Sequence, residues 1–217
     1  MNKLLAFDLD GTLIDSRSDL CTGINLMREH YNLPPLPETT ITQFIGDGIR
    51  KLVQCSLYDA TGIDLDEAVQ INSACYRAHI HDTTTLYPGV AEGLSRLSRA
   101  GAALVLVSNK PFVSCLKLLR HFALDNIFTS IMGGDSVSNL KPHPEALLHT
   151  MRGLRFTPTD TWMIGDSAND LACARRAGAH GVFVTYGIGK AEPEAPEIAF
   201  NDFSSLTEYF LSLSHSA

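Results

Sequence analysis

LLAFDLDGT, residues 4–12, is the stretch that decides the fold. Residues 4–9, LLAFDL, form a short apolar run with a charged tip that does not alternate with polar residues, so it reads as a strand buried on both faces, as strands of a parallel sheet are. Asp8 and Asp10 then stand two residues apart. In a continuing strand both would point to one face of the sheet. The chain therefore turns at this tip, and Gly11 permits the turn.

Working outward, the period changes from about residue 15. Leu20, Ile24, Met27 and Tyr31 recur at helical spacing, with Ser16 as N-cap and Asp19 three residues on. Pro34, Pro35 and Pro37 break the chain. A second helix carries Ile49, Leu52, Val53, Leu57 and Ala60 and ends at Gly62; a third runs from near Asp66 to about His81 with Leu65, Val69, Asn72, Tyr76 and His79 on related faces. No strand-like run interrupts residues 15–82. Beyond Gly89 the pattern alternates. Helices around Leu94, Leu116, Pro144 and Leu171 separate apolar runs at 103–108, 127–132, 161–166, 181–187 and 198–200. Such alternation predicts an α/β fold, a doubly wound Rossmann-like parallel sheet. Residues 1–14 and 83–217 form this core, and residues 15–82 form an inserted helical cap.

The 217 residues carry 17 basic and 24 acidic side chains, a net charge of −7, with 45% apolar residues. That composition fits a soluble globular enzyme-sized core. No basic cluster exceeds a pair, which argues against nucleic acid or an anionic membrane as partner. The five cysteines (Cys21, Cys55, Cys75, Cys115 and Cys173) are scattered and form no C-x-x-C pair, so they read as reduced thiols of a cytoplasmic protein. No apolar stretch approaches a membrane span. His143 and Trp162 read as packing residues.

In doubly wound sheets the chemistry collects at the carboxyl ends of the strands. Here those tips bear Asp8 and Asp10, Ser108 and Asn109, and Asp166 and Asp170, and a loop bears Lys141. Asp8, Asp10 and Asp166 offer the hard oxygen ligands that Mg²⁺ takes while leaving room for water and a phosphate oxygen. Such an ion weakens the repulsion between an anionic nucleophile and an anionic ester. Asp10 is placed to protonate a leaving alcohol and then to activate water. Thr12 brings backbone and hydroxyl donors. Ser108 and Lys141 supply a hydrogen bond and a positive charge for equatorial phosphate oxygens.

FDLDGTLIDS at 7–16, VSNK at 107–110, KPHP at 141–144 and GDSAND at 165–170 together resemble the haloacid dehalogenase superfamily, in its phosphatase branch. The resemblance spans the whole chain. It implies that Asp8 is the nucleophile and Asp10 the acid/base. Ser108, Asn109 and Lys141 would bind phosphate. Mg²⁺ would be held by Asp8, the backbone carbonyl of Asp10 and Asp166, with Asp170 steadying the ligands from behind. Further segments, GGDSVSNLKPHP at 133–144, VTYG at 184–187 and IGDGIRKL at 45–52, resemble the bacterial phosphoglycolate phosphatases of that superfamily. That likeness implies a small phosphorylated metabolite as substrate, 2-phosphoglycolate first among them, and a monomer or homodimer. It also makes Arg50 and Lys51 candidates to face a substrate carboxylate; as a solvated helix start they would serve equally well. Lys110 is a further candidate anion contact. The rival readings are a phosphatase for pyrophosphate, a nucleotide or a phosphosugar, and a sugar-phosphate mutase built on the same Asp8 and Asp10.

Overall fold

The computed structural model describes residues 2–213. In chain order the elements are β1 (Leu4–Phe7), β2 (Ile14–Asp15), α1 (Arg17–His30), α2 (Glu38–Ile41), α3 (Ile49–Ser56), α4 (Leu65–His79), β3 (Thr85–Leu86), α5 (Val90–Arg99), β4 (Ala103–Val107), α6 (Phe112–His121), β5 (Ser130–Met132), α7 (Glu145–Leu154), β6 (Thr161–Gly165), α8 (Ala168–Ala177), β7 (His180–Val184), β8 (Ile198–Phe200) and α9 (Phe203–Leu213).

Six strands make one sheet in the order β5-β4-β1-β6-β7-β8, and every pairing in it is parallel. The fold is thus the α/β doubly wound sheet expected from the sequence. β1 is central, with Phe7 opposite both Leu106 of β4 and Ile164 of β6. Its four side chains alternate between two helical layers. Leu5 and Phe7 join Leu94, Leu118 and Phe203 in one cluster, while Leu4 and Ala6 join Leu147, Met151 and Cys173 in the other. All four β1 residues are fully buried, which is why the run is continuously apolar. The order of winding reverses across β1, and its carboxyl end is therefore where a crevice forms.

Between β1 and β4 the chain forms the helical block of α1 to α4, in which α1 packs along α4. Two features of this region are absent from the pattern of the sequence. β2 and β3 pair antiparallel as a two-stranded ribbon at the root of the block; two residues are too few to show a period. α3 stops at Ser56 instead of running on to Gly62. The Arg28 guanidinium, fully buried, takes the Ser56 carbonyl at 2.6 Å, the Pro34 carbonyl at 2.8 Å and both oxygens of Asp59 at 2.8 Å. A buried cation so fully paired fixes the turn that ends the helix. Among the described residues, no helix is long and apolar enough to cross a membrane.

Candidate active site

Three strand ends meet at the crevice. The Asp8 amide continues the ladder by donating to the Ile164 carbonyl at 2.9 Å, and the Ser108 amide donates to the Met132 carbonyl at 3.0 Å. Residues 8, 108 and 166 thus follow directly on β1, β4 and β6. The turn after Asp8 is tight: the Thr12, Leu13 and Ile14 amides all donate to the Leu9 carbonyl. Gly11 sits in it at φ +84°, and a Cβ there would lie 2.0 Å from Asp166 Oδ2. Only glycine meets both conditions.

Asp8, Asp166 and Asp170 each present a carboxylate oxygen, all within 4.8 Å of one another. The Lys141 ammonium lies 2.8 Å from Asp8 and 2.6 Å from Asp170, and also donates to the Val107 carbonyl at 2.7 Å. Asp170 is further engaged through its second oxygen, which accepts from the Ser167 hydroxyl at 2.6 Å and the Ser167 amide at 3.2 Å. Both of its oxygens therefore have protein partners. Asp166 is oriented by the chain itself: the Ile188 and Gly189 amides donate to Oδ2 at 2.7 and 2.8 Å. Its Oδ1 has only the Thr12 hydroxyl, 3.5 Å away.

Burial pushes Asp8 up to about 6, with Lys141 pulling it down and Asp170 adding to the rise. Burial also lifts Asp166, to about 7, aided by the negative charges of Asp170 and Asp8. For Lys141 burial works in the opposite direction, but Asp170 and Asp8 overcome it and hold the ammonium well above the ordinary lysine range. Crowded carboxylates that resist ionisation, all with oxygen donors, fit a small hard divalent cation. Mg²⁺ is such an ion, and Asp8 and Asp166 are the residues with oxygens turned towards the shared space.

Asp10 stands apart from this cluster. Its two oxygens accept from Lys110 at 2.9 and 2.8 Å, and the Ser16 hydroxyl donates to Oδ1. Ser16 occupies the N-cap position of α1 but makes no capping bond with its side chain. Lys110 in turn lies 4.7 Å over the ring of Tyr76. Asp19, next to Ser16 in the expected capping pattern, also does something else: it accepts from the amides and hydroxyls of both Thr83 and Thr84.

A cavity of about 230 Å³ opens over Asp8, Asp10, Ser108 and Asp166. The other expected site residues fall in different places. Asn109 lines the cavity, and its amide is a strut: it accepts from the Lys141 amide at 2.8 Å and donates to the carbonyls of Lys141 and Gly46, each at 2.9 Å. Thr12 is fully buried and turned to Asp166 rather than into the cavity. Arg50 and Lys51 are not brought to the site. Both are exposed, and Arg50 pairs with Asp66 on the outer surface. Their neighbours Gly48, Ile49 and Leu52 line the cavity instead, with Asn72, Tyr76 and Arg77 of α4. The amides of 188 and 189 gave no signal in the sequence, because any residue supplies an amide.

The parallel α/β sheet thus brings a cluster of carboxylates and lysines together at its topological switch point. A family model described as haloacid dehalogenase-like hydrolase matches residues 5–184, and the chain belongs to that family. It is 38% identical over 209 residues to the phosphoglycolate phosphatase of Chromobacterium violaceum, covering 94% of each chain. It is 40% identical over 194 residues to the phosphoglycolate phosphatase of Nitrosospira multiformis, covering 85% of this chain and 84% of that one. Among solved structures, that of a "predicted phosphoglycolate phosphatase" from Haemophilus somnus superposes with a TM-score of 0.87 at 30% identity, over 96% of this chain and 97% of the other.

Proposed function

We propose that this protein is a Mg²⁺-dependent phosphatase that hydrolyses a small phosphate monoester, 2-phosphoglycolate, through a phosphorylated Asp8. The observation that carries the reading is the placing of Asp8: a carboxylate at the end of the central strand, 2.8 Å from a buried lysine and within 4.8 Å of Asp166, lining a small cavity. The relatives' names support the substrate.

In the first step an Asp8 oxygen attacks phosphorus and the bond from phosphorus to the alcohol oxygen breaks. Asp10 gives that oxygen its proton, so the alcohol leaves neutral. Water then enters, Asp10 takes its proton, and the acyl phosphate is cleaved to phosphate and free Asp8. Lys141 and the Ser108 hydroxyl stabilise the equatorial oxygens of the transferred group, whose charge is spread in the transition state. Mg²⁺, bound by Asp8, Asp166 and the Asp10 carbonyl, would supply the positive charge that lets an anion attack an anion. Lys110 and Ser16 keep Asp10 in place. The five cysteines are free, which accords with action in the cytoplasm.

The test compares monoesters by kcat/KM. Wild-type protein releases phosphate from 2-phosphoglycolate with Mg²⁺ and no bisphosphate activator, and EDTA abolishes the release. Asp8→Asn lowers kcat by at least ~10³-fold. Full turnover by Asp8→Asn would overturn the assignment of the nucleophile. A requirement for a bisphosphate would point to the mutase reaction.

A further inference from the structure

Asn72 and Tyr76 lie one turn apart on α4, and both line the cavity. They are 3% and 4% exposed, and yet among the described residues the Asn72 Oδ1 has no hydrogen-bond partner and the Tyr76 hydroxyl has none besides the neighbouring Lys110 ammonium. Buried polar atoms are nearly always paired, so an unpaired amide oxygen beside a phenol whose O–H has no acceptor, on one wall of a cavity, asks for a ligand. Tyr76 is also firmly positioned. α1 comes so close at Gly23 that a Cβ there would stand 2.9 Å from the Tyr76 Cβ.

Their location relative to the chemistry is fixed by Lys110. That ammonium binds both oxygens of Asp10 and faces the Tyr76 ring at 4.7 Å. A leaving group that accepts its proton from Asp10 therefore extends past Lys110 towards Tyr76 and Asn72. The cavity wall contributed by residues 45–77 holds no acidic side chain and one cation, Arg77. Burial pushes the Tyr76 phenol up to about 12 against the pull of Lys110, so it stays an O–H donor at neutral pH. The Asn72 amide can present either end. At about 230 Å³ the space is below that of a drug-sized site.

We propose that Asn72 and Tyr76 bind the far end of the substrate and that this end is a carboxylate on a short leaving group. This rests on the phosphatase reading and adds to it the groups that select the ester. A site built to hydrogen-bond one group discriminates strongly against the analogue that lacks it.

Tyr76→Phe removes the phenol oxygen alone, and Asn72→Leu replaces the amide by an apolar group of similar size. The experiment measures kcat/KM for 2-phosphoglycolate and for ethyl phosphate in wild type and both variants, together with thermal midpoints. The expected result is a preference for 2-phosphoglycolate that falls at least tenfold in Tyr76→Phe, mainly through KM, with a midpoint no lower than that of wild type. Asn72→Leu shifts the preference in the same direction. Equal losses on both esters with a lowered midpoint would make the hydroxyl structural, and an unchanged preference in both variants would overturn the proposal while leaving the phosphatase reading intact. Wild type that hydrolyses neither ester would instead overturn the phosphatase reading itself.

Discussion

The Lys110 ammonium and the Asp10 carboxylate are 4% and 14% exposed at their side chains and lie 2.8 Å apart. Two charges so far removed from water depend on each other, and taking one away leaves the other unpaired. Attraction to Asp10, against burial, holds Lys110 above the ordinary lysine range, so the ammonium stays charged at neutral pH. Lys110→Met is expected to destabilise the fold by about 3–5 kcal/mol in urea titrations. Adding Asp10→Asn should recover a large part of that loss, because the neutral amide needs no counter-charge. Losses that simply add in the double variant would mean that the two side chains are not coupled. On activity, Lys110→Met frees the carboxyl proposed as acid/base to wander, and kcat should drop about 10–100-fold. The sequence marked Lys110 only as one more cation near a phosphate. Its real partner lies 100 residues earlier in the chain, a pairing that neither composition nor spacing reveals.

Among the elements, the strand and helix pattern was easy to read where a segment is long enough to show its period. β1 and β4 are continuous apolar runs and β6 is buried throughout, and α6, α7 and α8 are punctuated by Pro111, Pro144 and Gly178 at their ends. The convergence of Asp8, Ser108 and Asp166 at one edge followed from that pattern alone. α9 leaves little mark in the pattern although Phe203, Leu206 and Phe210 are fully buried at helical spacing; a short amphipathic helix after the last strand carries no start or stop signal beyond Asp202. Asp19 was misread for a physical reason. A carboxylate in the first turn of a helix satisfies local capping rules, but this one instead joins α1 to the strand-like return at Thr83 and Thr84 through amide and hydroxyl donors. Burial raises its pKa, but those hydrogen bonds outweigh burial and hold the carboxyl below its ordinary 3.8. A depressed carboxyl stabilises the fold above the unfolded-state value and loses that contribution as pH falls towards the folded one. Asp19→Ala should therefore cost about 2–4 kcal/mol at pH 6, where two amides lose their acceptor. The gap between variant and wild type should narrow as the pH is lowered from 4 to 2.5. A gap of constant size down to the lowest pH would show that the charge on Asp19 contributes nothing.

At the scale of the whole molecule, the net charge of −7 has its sharpest local expression at the crevice, where Asp8, Asp166 and Asp170 are forced together by the convergence of strand ends. Burial and mutual repulsion raise Asp8 to about 6 and Asp166 to about 7, both from 3.8. A folded-state carboxyl raised above its unfolded value means that the folded protein binds more protons than the unfolded chain between those values. Without a cation, stability therefore falls as the pH climbs from about 4 through 7. A divalent ion held in the cluster would supply by charge what those protons supplied and would bind only the ionised form, so its stabilising effect would grow over the same interval. Thermal unfolding of EDTA-treated protein should show a lower midpoint at pH 7.5 than at pH 5.5. Millimolar Mg²⁺ should raise the midpoint markedly at pH 7.5 and little at pH 5.5, and Asp166→Asn should lose most of that response. An equal shift at both pH values would place the ion elsewhere on the acidic surface. No shift at pH 7.5 would show that the strand ends crowd their carboxylates for some purpose other than holding a metal.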